Sequence, residues 1–301
     1  MKTKVSLLTL ATATLLSSMA SAQMASGSMS RNNMITPSLS NMENPMYKPG
    51  EGMFYSKTNF NYTPVDKHDD SYALTEEFGY GLGQDWALSA SIGYGWMSKA
   101  ANLYDKDSQV SNLAIAGLYR PVANQDLVWD ITAGVSIDIA DDMVDQYSLS
   151  YPIDDYGKKD TGVFIGTKLG MNLGEDFILA FNVGYLYDTD DSKNYAKKEL
   201  GDTSYWNAGA EGQVVFSDDW SMNIAYKYKK FIDKDGFDKA DSSNVIASAN
   251  WQVTDMMLAS AYVDYDATGK ENRLDANSTA LVGEDGDDNR WSYGLRVGVQ
   301  F

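Results

Sequence analysis

The sequence of 301 residues has no cysteine and one histidine, His68. Without cysteine the chain cannot form disulfides, bind metals through thiolates or carry a lipid on a processed N-terminal cysteine. After the first 22 residues, no run approaches the 18 apolar residues that a membrane-spanning helix requires. These absences leave a large core or a closed sheet as the source of stability.

Positive charge is also scarce, since 24 Lys and Arg stand against 42 Asp and Glu and the formal net charge is −18. Nucleic-acid binding needs a basic surface, so nucleic acid is excluded as an expected partner. Acidic clusters such as 284–288 favour solvated loops that attract cations. Asp233, Asp235 and Asp238 echo the start of a Ca²⁺-binding loop, but their spacing does not match the full motif. We therefore predict solvated loop here, with no metal and no cofactor.

The first residues predict export. Lys2 and Lys4 precede a mostly apolar stretch, 5–16, and Ala20-Ser21-Ala22 supplies the small residues of a cleavage site. The apolar stretch is too short to span a bilayer as a helix. We therefore predict a cleaved signal peptide over residues 1–22.

From Met53 onward, apolar and small or polar residues alternate in segments of about ten residues, the length of a tilted membrane strand. In the third segment, Trp86, Leu88 and Ala90 share one face while Ala87, Ser89 and Ser91 share the other. The predicted strands are 53–62, 71–82, 86–97, 109–120, 127–139, 161–173, 177–188, 203–216, 220–231, 242–253, 256–266 and 289–301.

The connections between these segments alternate strictly between short and long. Five short turns end in Asp and are followed at once by Trp86, Leu127, Phe177, Trp220 or Met256. Short turns on one side and long loops on the other are typical of membrane barrels. The sequence therefore predicts an all-β fold, a closed antiparallel transmembrane β-barrel of about 12 strands over residues 52–301.

The C-terminal run 290–301 alternates apolar with small or polar residues and ends in an aromatic residue. It resembles the closing strand of bacterial outer-membrane barrels, in which such an ending is read by the barrel-assembly machinery. The resemblance covers about 53–301 and concerns architecture, not one family. It implies location in the bacterial outer membrane, contact with its lipids and lipopolysaccharide, and Tyr293 and Phe301 as the assembly signal.

Residues 23–51 differ from the rest, being rich in Ser, Asn, Met and Pro without sustained alternation. We predict a flexible periplasmic N-terminal segment there. The irregular spacing of its methionines favours a linker over a soft-metal site.

Placing the apolar face toward lipid leaves a polar inner face. A charge facing the lipid midplane would cost about 2–4 kcal/mol for Lys or Arg and less for acids. Glu76 is in phase with the apolar face, so we expect a β-bulge at Glu76-Glu77 that turns both carboxylates inward. The predicted lumen-lining residues are Lys57, Glu76, Glu77, Asp130, Asp138, Lys168, Glu211, Lys227, Lys229, Asp264 and Arg296.

Twelve tilted strands give a backbone cylinder about 24 Å across, and side chains reduce the free lumen to roughly 10 Å. The leading function is a narrow, porin-like passive channel for small solutes. The alternative is a closed structural, adhesive or docking barrel that contacts an envelope protein or a second copy. Catalysis is not expected, because His68 lies among acids in a long connection and no Ser-His spacing of a lipase is present.

Overall fold

The computed structural model describes residues 42–64, 71–97, 108–110, 113–124, 126–137, 139, 160–174, 176–190, 203–232, 242–266, 272–274, 281–283 and 290–301. In these ranges no helix is long and apolar enough to cross a membrane. The strands are β1 (Phe54–Thr63), β2 (Ser71–Gly81), β3 (Trp86–Met97), β4 (Ser108–Val110), β5 (Leu113–Ala123), β6 (Leu127–Ile137), β7 (Asp160–Asn172), β8 (Phe177–Asp190), β9 (Thr203–Val215), β10 (Trp220–Ile232), β11 (Ser242–Thr254), β12 (Met257–Asp266), β13 (Asn272–Leu274), β14 (Leu281–Gly283) and β15 (Arg290–Gln300).

Twelve of these strands form a closed antiparallel barrel in the described part of the chain. Each long strand pairs with its sequence neighbours, and β15 pairs with both β12 and β1 to close the ring. Closure satisfies the backbone groups that an open edge would expose. The predicted barrel is confirmed, with strand bounds that differ by four residues at most. The short β4 extends the β5 ladder on β3, and β13 and β14 form a separate hairpin that alternation did not predict.

The outer face of the barrel is apolar. Ile165, Ile224 and Leu295 are exposed to 57%, 60% and 60%, although a soluble protein would bury such side chains. Aromatic pairs mark both ends, with Trp220 stacked on Trp251 near the short turns and Tyr265 against Trp291 near the long connections. An apolar band between two aromatic girdles is typical of a barrel embedded in lipid.

Glycines on the inner face let aromatic rings lie flat against the wall. A Cβ at Gly79 would lie 2.0 Å from Cε1 of Tyr55, and one at Gly134 would lie 2.1 Å from Cζ of Phe164. Such distances are far below van der Waals contact, so only glycine allows these rings to cover the neighbouring strand. The rings therefore fill space along the wall rather than standing across the lumen.

Candidate functional site

The predicted charged residues line the lumen, except for two. Among these residues and Arg120 of β5, the sign of the charge changes from one charged strand to the next, except that Arg296 on β15 and Lys57 on the adjacent β1 are both positive. Asp138 lies outside the described residues. The charged residues that point inward are Lys57, Glu77, Asp130 and Lys168, which are buried, and Glu211, Lys227, Lys229, Asp264 and Arg296, which are half-buried.

Glu76 is the exception, and the expected bulge is wrong. The β1–β2 register runs unbroken from Phe54–Tyr80 to Thr63–Ser71, so strict alternation leaves Glu76 on the outer face. Its two carboxylate oxygens accept hydrogen bonds from the Ser56 hydroxyl and, at 2.6 Å, from the Thr58 hydroxyl. Those two hydroxyls on β1, rather than a bulge, satisfy the acid on the lipid side.

Residues 42–50, which the sequence analysis placed in a periplasmic leader, lie inside the barrel. All of them are buried, and we call them the lumen segment. The segment joins β1 through a turn at Gly52, whose φ of 75° favours glycine. The lack of alternation cannot reveal this position, because a short irregular segment has the same polar composition whether water or a barrel wall satisfies its groups. Residues 23–41 lie outside the described residues.

Two methionines anchor the lumen segment in notches of the wall. Met46 packs with Val128, Ile178 and Ala180, and a Cβ at Gly170 would lie 2.2 Å from its sulfur. Met42 packs against Gly298 in the same way. A Cβ at Gly298 would lie 2.8 Å from the methionine Cε, so a larger residue there would displace Met42. An unbranched thioether suits such irregular gaps, so these methionines serve packing here.

The wall also holds the backbone of the lumen segment. Carbonyl groups of a short loop would otherwise be buried without partners, at a cost of about 1–3 kcal/mol each. Four wall side chains donate to them: Gln213 Nε2 and Asn223 Nδ2 to the Glu43 carbonyl at 3.2 and 2.7 Å, Lys168 Nζ to the Pro45 carbonyl, and Arg120 Nη2 to the Met46 carbonyl at 2.9 Å. Donors from β5, β7, β9 and β10 therefore meet on one short piece of chain.

Ionic contacts complete the attachment at the first residues of the lumen segment. The Glu43 carboxylate pairs with Lys57 Nζ at 3.5 Å and with the Arg296 guanidinium. Both cations come from strands that lie side by side, β1 and β15. The segment therefore contributes a negative charge to the wall.

The other end of the segment is fixed at the short-turn end of the barrel. Lys48 Nζ donates to the carbonyls of Gly83 and Gln84 at 2.9 and 2.8 Å, and the Tyr47 hydroxyl donates to Gln300 Oε1 at 3.0 Å. Burial, and secondarily the nearby Arg120, lowers the pKa of Lys48 to about 8. The ammonium is therefore held less favourably than in water.

Sequence reasoning missed Arg120, which forms a two-pronged ion pair in the lumen. Its Nε and Nη2 donate to the two oxygens of Asp130 at 2.7 and 2.8 Å. The residue precedes Pro121, and the β5–β6 register shifts between Tyr119 and Val122, as expected where proline cannot donate to a ladder. Arg120 follows Ala114, Ala116 and Leu118 at intervals of two residues, and these three are buried. This alternation along β5 was the sequence signal that could have placed Arg120 on the inner face.

A small cavity lies against the wall strands β6 to β9. Its volume of about 20 Å³ has room for roughly one water molecule. Lys168 and two carboxamides, Asn182 and Asn207, supply polar groups, and Phe164 and Tyr205 supply rings.

Other predicted sites are exposed or outside the described residues. Phe301 is 60% exposed, packs on Phe54 at a ring distance of 5.1 Å and exchanges two 2.8 Å backbone hydrogen bonds with it. Tyr293 lies on the outer face. His68 and the loop acids Asp233, Asp235 and Asp238 lie outside the described residues, so the expectations about catalysis and calcium stay predictions.

The comparisons with known proteins agree with the architecture. No family model and no curated protein matches the sequence. The fold is similar to the COG4313 outer membrane channel from Pseudomonas putida F1, with 12% identity, a TM-score of 0.58, and coverage of 83% of this chain and 96% of that chain. The KdgM porin (9% identity, TM-score 0.47, 81% and 99% coverage) and the CymD monoaromatic hydrocarbon channel (6%, 0.44, 85% and 90%) are also similar. At this identity the first of these likenesses establishes the fold alone: this chain has the barrel fold of an outer membrane channel.

Proposed function

We propose that this chain is a bacterial outer-membrane channel through which small solutes diffuse passively. The observation that carries the proposal is that the polarity of the two faces is the reverse of that in a soluble protein. Charges line the inside of the closed barrel, and large apolar side chains cover the outside. A polar inner wall inside an apolar band is the arrangement of water-filled membrane barrels. The similar structure from Pseudomonas putida F1 is described as a channel, in keeping with this role.

The lumen segment sets the permeability in this proposal. Its contacts with wall strands on several sides of the ring leave little free cross-section at the short-turn end. The mature protein therefore conducts weakly while the segment is in place. Passage requires the segment to move aside.

Two N-terminal deletions test this proposal in planar bilayers. Removing residues 23–48 takes away the lumen segment through Lys48, whereas the control deletion of 23–41 keeps it. We expect single-channel conductance at least about 5-fold larger for the longer deletion, because a lumen roughly 10 Å wide becomes water-filled. Equal, near-zero conductance for both variants would exclude a channel.

A closed barrel is the second candidate, and the dense attachment of the lumen segment favours it. A barrel that is permanently filled would serve as a structural, adhesive or docking element for an envelope protein or a second copy. The full-length chain and the 23–41 deletion would then stay silent in bilayers under all conditions while still binding the partner, and conductance would appear only after removal of residues 23–48. Recordings of the full-length chain therefore separate the two functions.

We also propose that the barrel-assembly machinery reads the C-terminal strand through Phe301 and Tyr293, and that lipopolysaccharide and outer-membrane lipids surround the apolar band. The exposure of Tyr293 and Phe301, together with that of the apolar side chains on the outer face, supports both parts of this proposal. Deleting Phe301 should lower the amount of folded barrel in the outer membrane, measured by heat modifiability on gels. We propose no catalytic activity.

A further inference from the structure

The Glu43 carboxylate occupies a position that the barrel wall has already prepared for a negative group. Glu43 is 6% exposed, and its two oxygens face Lys57 Nζ at 3.5 Å and the Arg296 guanidinium. Both cations belong to hydrogen-bonded strands of the closed ring, so their spacing is fixed by the barrel and not by the segment. The site therefore exists on rigid elements.

The wall orients Arg296 independently of the segment. Its Nε donates to Asn59 Oδ1 on β1, and its guanidinium carbon lies 5.2 Å from the centre of the Tyr262 ring on β12. These contacts hold the planar guanidinium group so that its Nη1 points at the Glu43 carboxylate. A planar fork fixed in this way is suited to carboxylate recognition.

Glu43 supplies the carboxylate that is in ionic contact with both cations. On the wall itself, Glu77, which accepts a hydrogen bond from the Tyr55 hydroxyl, faces Lys57 and Arg296, and Glu211 also faces Arg296. A buried cation without a close carboxylate is unfavourable, and the Glu43 oxygens provide that close contact for Lys57 and Arg296 together.

We propose that the Lys57–Arg296 pair is a carboxylate-binding site of the channel, and that Glu43 occupies it as a tethered internal ligand. Carboxylate solutes then compete with Glu43 for the same two cations, and binding of a solute releases one attachment of the lumen segment. The transport part of this inference rests on the proposed channel function. The binding site itself does not.

Tethering determines the concentration at which a solute competes. A carboxylate on a short linker has an effective concentration in the millimolar range or higher. Free carboxylates should therefore act at about 10–100 mM on the intact chain. A variant that lacks the Glu43 carboxylate should respond at lower concentrations.

The binding test uses propionate, which has the carboxylate and carbon chain of a glutamate side chain, and propionamide as the uncharged match. In refolded E43A protein, 100 mM propionate should raise the melting temperature by about 3 °C relative to chloride at equal ionic strength. Propionamide should give no shift, and adding the K57M substitution should abolish the propionate effect. E43Q keeps the shape of the side chain and serves as a second variant. Its melting temperature should also be higher in propionate than in chloride. Equal melting temperatures in propionate and chloride for both variants would overturn the site.

The transport test compares wild type and E43A in planar bilayers. Replacing chloride by propionate should raise the open probability of wild type at least about 3-fold and should leave that of E43A unchanged, because the Glu43 attachment is already lost in this variant. A melting shift without conductance in any variant would keep the carboxylate site and reject the channel. Conductance without a melting shift would keep the channel and reject the site.

Discussion

Glu76 and Glu77 are consecutive on β2, yet they lie on opposite faces of the barrel wall. Glu77 points inward, is 5% exposed and accepts a hydrogen bond from Tyr55 near two cations. Glu76 points outward, and two hydroxyls of β1 are the partners that the structure gives it. The inner face holds carboxylates with opposite charges, whereas the outer face holds its acid with neutral donors.

The difference follows from the solvent on each side. An ionic partner on the lipid face would itself have to leave water, which costs more than the pairing returns. Hydroxyls avoid that cost and still satisfy both carboxylate oxygens. Inside, cations can be placed on neighbouring strands, and Lys57 opposite Glu77 and Lys168 opposite Asp130 in the strand register are examples.

The largest expected effect comes from removing the partner of an inner carboxylate. R120A leaves Asp130, which is 1% exposed, without its two donors and frees the Met46 carbonyl. We expect the free energy of unfolding to fall by about 3–5 kcal/mol, measured by urea denaturation in lipid vesicles. The R120Q/D130N double variant removes both charges and should recover at least about half of the loss. A smaller loss for R120A than for the double variant would contradict the importance of the pair.

Substituting the two glutamates tests the comparison directly. E77L should destabilise the barrel by about 2–3 kcal/mol, because it leaves the Tyr55 hydroxyl without its acceptor and removes one of the carboxylates that face Lys57 and Arg296. E76L should instead stabilise it by about 1 kcal/mol, since an apolar side chain replaces an acid in lipid. The same vesicle-based unfolding experiment measures both. Equal effects of the two variants would show that the faces do not differ in this way.

Glycines of the two faces should also respond differently. G170V would place atoms where the Met46 side chain now lies, so we expect the lumen segment to be displaced and the conductance to rise at least about 2-fold. Gly117 lies on the outer face, where a Cβ would meet its nearest atom at 3.9 Å. G117A is therefore the matched control, with unchanged conductance expected. A rise in both variants would point to a general loosening of the barrel.

The smallest expected effect is a pH dependence from Lys48. Its pKa is about 8 in the structure and 10.5 ordinarily, so between these values the held segment binds fewer protons than the released one. Raising the pH from 8 to 10.5 therefore favours the held segment, and the wild-type conductance should fall. K48M should lack this component, which the difference between the two pH profiles isolates. A conductance that rises more steeply in wild type than in K48M would contradict the assignment.

The strands were predictable because every second side chain faces lipid. Segments such as 86–97 and 127–139 carry that pattern plainly, and turn residues mark where each strand ends. The same rule placed Glu76 on the outer face, and the prediction failed only where an assumed bulge overrode it. The distant pair Ser56 and Thr58 supplies the partners of Glu76, and strand pairing had to be known before they could be recognised.

The position of residues 42–50 could not be predicted in this way. Their contacts are side chains from many strands to backbone carbonyls, and such contacts follow no period in sequence. Arg120 was missed for a related reason, because its partner Asp130 becomes adjacent only when β5 and β6 pair around the irregularity at Pro121. The architecture of the barrel is a local property of the sequence, whereas the filling of its lumen is not.

The turn at Gly52 has a consequence for the order of assembly. It joins the lumen segment to β1 at the end where the short turns lie, and Phe54 at that end closes the ring with Phe301. A chain terminus can thread into a finished cylinder from its open end, so the ring can close before its interior is occupied. Folding of this chain thus divides into closure of the barrel wall and later insertion of the lumen segment. Only the second step depends on residues that precede β1.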